Sequence, residues 1–277
     1  MTADTQGRER ADSGAATAAS STTHFGYQDV PEADKPRLVR DVFERVAGSY
    51  DLMNDLMSGG IHRLWKREMV DWLAPRPGLR LLDVAGGTGD IASRVAERIE
   101  AREDPSQADS QIVVCDLTPD MLAQGRDRLI DQGYLPGDPR MPIDWLCGNA
   151  ERLPLADRSV DAYSIAFGLR NVTHVERALA EARRVLRPGG RFLCLEFSRV
   201  VVPLLDRLYD LYSFKALPAM GAVVARDPDA YRYLAESIRR FPPQDSLAEM
   251  IQEAGLGQVR YRNLSGGIAA IHSAWRL

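Results

Sequence analysis

Between residues 79 and 197 the chain changes character at short, regular intervals, and this alternation constrains the fold more than any other feature. Residues 79–84 (LRLLDV) form an apolar run of strand length, and residues 90–100 carry helical periodicity. Residues 112–115 read as a second strand, after which Thr118 and Pro119 open a helix through Ile130, with proline suited to a first helical position. Further strands are expected at 143–147, 160–167 and 191–197. Between the last two, a capping box at 173–176 predicts a helix that stops at Arg187-Pro188-Gly189-Gly190. Strands alternating with helices of this length imply an α/β fold with a mostly parallel sheet covered on both faces. Toward the C-terminus, a helix over 246–254 precedes strand-like runs at 257–264 and 268–275, which predict an antiparallel closing pair.

The flanks read differently. Residues 1–24 are rich in alanine, serine, threonine and charge, with no apolar periodicity, and are expected to be a disordered extension to a single domain over 25–277. From Lys35, the spacing of Leu38, Val42, Val46 and Tyr50 predicts an amphipathic helix, and 61–73 a second; these are the cap helices of 35–75. Residues 200–240 read as an insertion on the substrate side, with Leu204, Leu208, Leu211 and Tyr212 on one helical face that either packs as core or lines a route for an apolar substrate. Lysine and arginine total 35 against 39 acidic residues, a net charge of −4 that gives no general pull toward nucleic acid. The longest frankly apolar stretch, 216–225, is shorter than the roughly 18–20 residues a spanning helix needs. Cys115, Cys147 and Cys194 each sit in an apolar run that reads as a buried strand, which fits a reduced, cytoplasmic compartment. With four histidines and no CxxC or HExxH spacing, no metal site is expected.

The chemistry gathers at strand ends. Gly86, Gly87 and Gly89 lie where the first of these strands meets its helix, so the backbone can admit a close ligand. Gly87-x-Gly89-x-x-Ala92 satisfies the loose dinucleotide pattern, and a turn that merely packs helix on strand is also open. Two carboxylates argue against a pyrophosphate. Asp83, just before the loop, suits an ammonium, and Asp116, ending the next strand, suits a pair of ribose hydroxyls. A ligand with a ribose, an amino-acid ammonium and no phosphate is S-adenosylmethionine. Asn149 and the N–H of Ala150, one unit downstream, can meet an adenine edge.

Seven segments together carry a resemblance: 22–28 (TTHFGYQ), 47–55 (AGSYDLMND), 60–66 (GIHRLWK), the glycine loop, 167–172 (FGLRNV), 195–198 (LEFS) and 231–238 (YRYLAESI). From about Thr22 onward the chain resembles the ubiquinone/menaquinone biosynthesis C-methyltransferases, a class I S-adenosylmethionine-dependent family. The resemblance implies a Rossmann-like, seven-stranded sheet with an antiparallel C-terminal strand and helical insertions at the N-terminus and within the chain. It implies methyl transfer to a ring carbon of a polyprenylated quinol, either 2-methoxy-6-polyprenyl-1,4-benzoquinol or demethylmenaquinol. By position it places cofactor contacts on Thr88, Asp116, Asn149 and Ala150, beside Asp83, Gly87 and Gly89 from the reading above. At residue 166, where some members use a serine toward the cofactor, this chain has Ala166.

For catalysis, Arg170 and Asn171 stand at the C-terminal end of a strand, where ligands collect in open α/β sheets. Arginine keeps its proton, so Arg170 is expected to stabilise a phenolate or orient a water rather than act as base. Tyr50, ending the first amphipathic helix, can donate to a quinol oxygen; His62 and His174 are weaker candidates, and Glu196 is an orienting carboxylate or an ion-pair partner. The expected setting is the cytoplasmic face of the inner membrane, by peripheral contact, with a homodimer or a quinone-biosynthesis complex as partners. Two other readings stay open: a methyltransferase for another phenolic, lipid or RNA acceptor, with the acidic balance against RNA, and a cofactor-binding scaffold without activity.

Overall fold

The computed structural model describes residues 21–46, 55, 58, 60–101, 110–201 and 228–277. Two short strands, β1 (Thr22–Phe25) and β2 (Gln28–Pro31), pair as an antiparallel hairpin ahead of helix α1 (Lys35–Val46) and helix α2 (His62–Leu73). Strand β3 (Arg80–Val84) leads into α3 (Asp90–Glu100), β4 (Gln111–Asp116) into α4 (Pro119–Asp131), and β5 (Ile143–Cys147) into a turn. There follow β6 (Val160–Ala166), α5 (Val175–Val185), β7 (Leu186–Phe197), α6 (Pro228–Arg240), α7 (Gln244–Glu253), β8 (Gly257–Leu264) and β9 (Ala269–Trp275).

The seven strands after the hairpin form one sheet in the order β5-β4-β3-β6-β7-β9-β8, and β9 alone among them runs against its neighbours. Because successive residues of a strand face opposite ways, each strand feeds two cores. Leu81, Ile112, Leu193 and Ile271 meet Val39, Trp65, Met69, Val95 and Leu234 on one face. Leu82, Ile165, Phe192 and Cys194 meet Leu179, Ala182, Leu247 and Ile251 on the other. The chain leaves β3 to one side for β4 and returns on the other with β6, so the carboxyl ends of β3 and β6 flank the switch point where open α/β sheets bind ligands.

Several boundaries differ from the sequence reading. Residues 22–24, expected in a disordered extension, are strand residues of the hairpin. Gly26 makes the turn at φ +59, Tyr27 N–H donates to the Glu236 carboxylate at 2.9 Å, and Phe25 stacks on Tyr233 with ring centroids 4.2 Å apart. The capping box at 173–176 is absent: α5 starts one residue later, with His174 at its N-cap and no side-chain cap, while Thr173 N–H donates to Glu151 at 2.7 Å. Residues 187–190 start β7 instead of ending a helix. Cys147 is exposed, since β5 is an edge strand; Cys115 and Cys194 are buried as expected.

Candidate active site

Both turns at the switch point open on a residue in the left-handed region, Ala85 after β3 at φ +50 and Phe167 after β6 at φ +58. Neither is glycine, so each conformation costs on the order of 1–2 kcal/mol and is held by its surroundings. The glycine loop continues from Ala85. Gly87 and Gly89 take φ +55 and +77, Gly87 N–H donates to Asp116 Oδ2 at 2.9 Å, and Gly89 N–H closes onto the Gly86 carbonyl at 2.8 Å.

A cleft with about 780 Å³ of free space opens above these ends. Its lining includes Gly87, Asp116, Asn149, Ala150 and Glu151, and Pro36, Val39, Arg40 and Phe43 of α1. Asp116 Oδ1 accepts Thr118 N–H at 2.9 Å and Oδ2 accepts Gly87 N–H, which leaves capacity on a carboxylate able to take about four hydrogen bonds. Burial pushes its carboxyl upward, and those backbone donors work against the rise. Asn149 Oδ1 accepts the Glu151 N–H at 2.9 Å, closing an Asx turn. The Asn149 amide nitrogen and the Ala150 N–H have no acceptor among the described residues.

Behind the glycine loop is a smaller cavity, lined by Lys66, Asp83, Thr88, Asp90, Ala166 and Phe167 among others. Asp83 is 1% exposed; Oδ1 accepts Ser164 Oγ–H at 2.6 Å, and Oδ2 has no partner among the described residues. Burial pushes its carboxyl up to about 7, Asp90 and Asp116 add to the rise, and Ser164 and Lys66 oppose it. Ala166 lines this cavity and brings no hydroxyl to it.

The sequence-derived site residues therefore divide. Asp116, Asn149, Ala150 and Gly87 line the cleft, and Asp83 and Thr88 line the inner cavity. Gly89 lines neither: it caps α3, and a Cβ there would stand 2.8 Å from the Trp145 ring, so its need for glycine comes from packing and φ. Asn171 lines the cleft, with Oδ1 accepting Tyr233 Oη–H at 3.0 Å. Arg170 is placed otherwise than expected. Its guanidinium is 3% exposed, donates to Glu196 Oε1 at 2.8 Å and to the Phe167 carbonyl, and is not among the residues lining the cleft. The charge expected to face a phenolate is paired with Glu196, while Arg170 Nε has no hydrogen-bond partner among the described residues. Tyr50 lies outside the described residues, as do residues 202–227 of the expected substrate-side insertion. His62 is packed, Nδ1 against Ser58 Oγ at 3.0 Å, and burial lowers its pKa to about 4. His174 pairs with Glu32 at 3.3 Å.

Sequence reasoning passed over three contributors. Glu151 was hidden in the turn it helps close. Tyr233 reaches Asn171 from 62 residues away. Lys66 left a signal in the sequence, since it falls on the same helical stripe as Met69, Val70 and Leu73, where a lysine must bury its charge.

A family model described as the ubiE/COQ5 methyltransferase family matches residues 29–276. The chain belongs to that family. The ubiquinone/menaquinone biosynthesis C-methyltransferase of Paracoccus denitrificans is 56% identical over 255 residues, covering 92% of this chain and 97% of that one. The mitochondrial 2-methoxy-6-polyprenyl-1,4-benzoquinol methylase of Oryza sativa is 53% identical over 266 residues, covering 93% and 90%. Among solved structures, a SAM-dependent methyltransferase from Thermotoga maritima, described as a possible histamine N-methyltransferase, superimposes with a TM-score of 0.60 over 86% of this chain and all of its own. At 20% identity that likeness shows the fold: the seven-stranded sheet of this ubiE/COQ5 chain, with β9 antiparallel, is the class I methyltransferase sheet.

Proposed function

We propose that the chain moves a methyl group from S-adenosylmethionine to a ring carbon of a polyprenylated quinol, 2-methoxy-6-polyprenyl-1,4-benzoquinol or demethylmenaquinol, in quinone biosynthesis. The names of the relatives at 53% and 56% identity support the reaction. The observation that carries the cofactor is the set of groups along the switch point: a carboxylate at the end of β4, free amide donors after β5, and a buried carboxylate oxygen without a partner beneath the glycine loop. In this reading Asp116 takes the ribose hydroxyls, Asn149 and Ala150 the adenine edge, and Asp83 the ammonium, with Thr88 and Gly87 alongside. A dinucleotide would bring its pyrophosphate to the glycine loop, near the buried Asp83 and the half-buried Asp116, whose carboxylates oppose its charge.

Bound there, S-adenosylmethionine supplies a methyl group on a positively charged sulfur, whose charge a few ångströms off can offset on the order of 4 kcal/mol at an effective dielectric of about 20. Ionising a quinol hydroxyl at pH 7 costs about the same, roughly 4 kcal/mol from a phenol pKa near 10. The protein therefore has to orient the ring and keep water out more than it has to supply a strong base. Val39, Phe43 and Phe167 provide the apolar wall, and Asn171, its amide oxygen held by Tyr233 and one Nδ2 donor on the Phe167 carbonyl at 3.5 Å, has a second Nδ2 donor for a quinol oxygen. Arg170 acts from behind, fixing the turn that carries Asn171. An acceptor with an isoprenoid tail resides in lipid, so the encounter is assigned to the inner membrane surface; no described helix is long and apolar enough to cross a membrane.

The test is methyl transfer by the purified chain in detergent, with product mass and the site of methylation read by mass spectrometry and NMR. Carbon methylation of either quinol is the expected result, and Asp116→Ala weakens S-adenosylmethionine binding more than about tenfold by losing a charged acceptor. Methylation at oxygen would favour another acceptor class. Cofactor binding without turnover on either quinol would favour the scaffold.

A further inference from the structure

The α2 lysine, Lys66, is the one side chain of the inner cavity whose burial the proposed reaction leaves unexplained. Its side chain is 6% exposed, on a buried stripe with His62, Trp65, Met69, Val70 and Leu73. An ammonium carries three N–H donors, and burying it is costly unless they find acceptors. One donor goes to Asp90 Oδ2 at 2.7 Å, and the described residues supply no acceptor for the other two. Asp90 is itself shared, since its Oδ1 accepts Arg94 Nε–H at 2.8 Å. The same cavity holds Asp83, whose Oδ2 is buried without a donor. The lining of one cavity thus presents an under-satisfied cation and an under-satisfied carboxylate together. The chemistry that answers both at once is a zwitterion, an α-amino acid with its ammonium toward Asp83 and its carboxylate toward Lys66.

We infer that Lys66 is the binding residue for the α-carboxylate at the amino-acid end of the methyl donor, with Asp90 holding the Lys66 ammonium in place. This rests on the reading of S-adenosylmethionine as cofactor and adds to it a residue on the helix ahead of the glycine loop. The competing role is a structural ion pair that ties α2 to α3. The two differ in what they discriminate: a carboxylate site distinguishes ligands by their carboxylate, whereas an ion pair between helices does not.

The experiment is calorimetric titration of the full chain with four probes: S-adenosylmethionine, S-adenosylhomocysteine, decarboxylated S-adenosylmethionine, which keeps the ammonium, and 5′-methylthioadenosine, which lacks the whole amino-acid end. On the unmodified protein, decarboxylated S-adenosylmethionine is expected to bind at least about tenfold more weakly than S-adenosylmethionine, the scale of one charge-assisted contact. Lys66→Met, which keeps the packed stem, should weaken S-adenosylhomocysteine by about tenfold or more and leave 5′-methylthioadenosine within roughly twofold. Lys66→Arg, which keeps the charge, should restore most of the lost affinity. Equal losses for both probes, in step with a lower melting temperature, would overturn the inference in favour of the helix tie. Equal binding of the carboxylated and decarboxylated donors by the unmodified protein would overturn it as well, whether or not the variants fold. If none of the adenosyl probes saturates the unmodified protein, the cofactor reading itself falls and takes the inference with it.

Discussion

The turns that leave β3 and β6 start from the same backbone state, Ala85 at φ +50 and Phe167 at φ +58, each beside a buried carboxylate. Under the first turn, Asp83 has one oxygen on Ser164 and the other on nothing. Beside the second, Glu196 is fully engaged: Oε1 takes the Arg170 guanidinium at 2.8 Å and Phe197 N–H at 2.9 Å, and Oε2 takes Arg170 N–H at 3.3 Å. Burial raises both carboxyl pKa values, but for Glu196 the facing guanidinium and backbone donors oppose the rise. One carboxylate is left to meet a ligand and the other is used up in holding a loop. An unsatisfied buried polar group calls for an explanation, and for Asp83 a bound ligand supplies one.

If that contrast is right, breaking the satisfied carboxylate has the largest effect. Glu196→Ala strands a buried guanidinium and should lower unfolding free energy by about 3–5 kcal/mol in urea titration, while Arg170→Met with Glu196→Leu should recover most of it. A loss below about 1 kcal/mol would mean the pair does not hold the turn.

The unsatisfied carboxylate should behave in the opposite sense. A carboxyl raised to about 7 from its ordinary 3.8 keeps its proton in the folded state over that interval while the unfolded chain has lost it. Folding stability from this group is therefore full below pH 4, falls as pH rises toward 7, and is gone above it, a change of at most about 4 kcal/mol. Asp83→Asn should accordingly raise the melting temperature of the ligand-free protein at pH 8, with the gain shrinking toward pH 4, and should weaken S-adenosylmethionine binding. A gain that does not vary with pH would remove Asp83 from this role.

The smallest effect tests whether the two turns are mechanically joined. A Cβ on Gly168 would lie 2.3 Å from Ala85 Cβ, so Gly168→Ala should cost about 1–3 kcal/mol by overpacking and weaken the cofactor by pushing the turns apart. Adding Ala85→Gly removes the clash and should recover more than half of both losses; simple additivity would show the turns to be independent.

How much of this was legible in the sequence follows from the range of the forces involved. The strand–loop–helix alternation, the glycine loop and the carboxylates at the ends of β3 and β4 could be read in order, because periodicity and turn chemistry act over a few residues. The position of Asn171 was legible for the same reason, at the end of a strand that its own pattern announces. What surrounds these residues was not. The hairpin over residues 22–31 is a pair of four-residue strands with exposed positions, too short to show a period, and it is ordered by Glu236 and Tyr233 more than 200 residues away. Arg170 read as a charge at a strand end, and only the adjacent β7 showed that Glu196 takes it inward. Lys66 read as one polar residue in a helix, and only the packing of α2 against α3 set it over Asp90. The sequence by itself determined the alternation of strands and helices and which residues stand at the strand ends. The tertiary structure decided which of the charged ones are free to face a ligand, because a charge in a low-dielectric interior takes its role from whichever partner the rest of the chain brings within hydrogen-bonding distance.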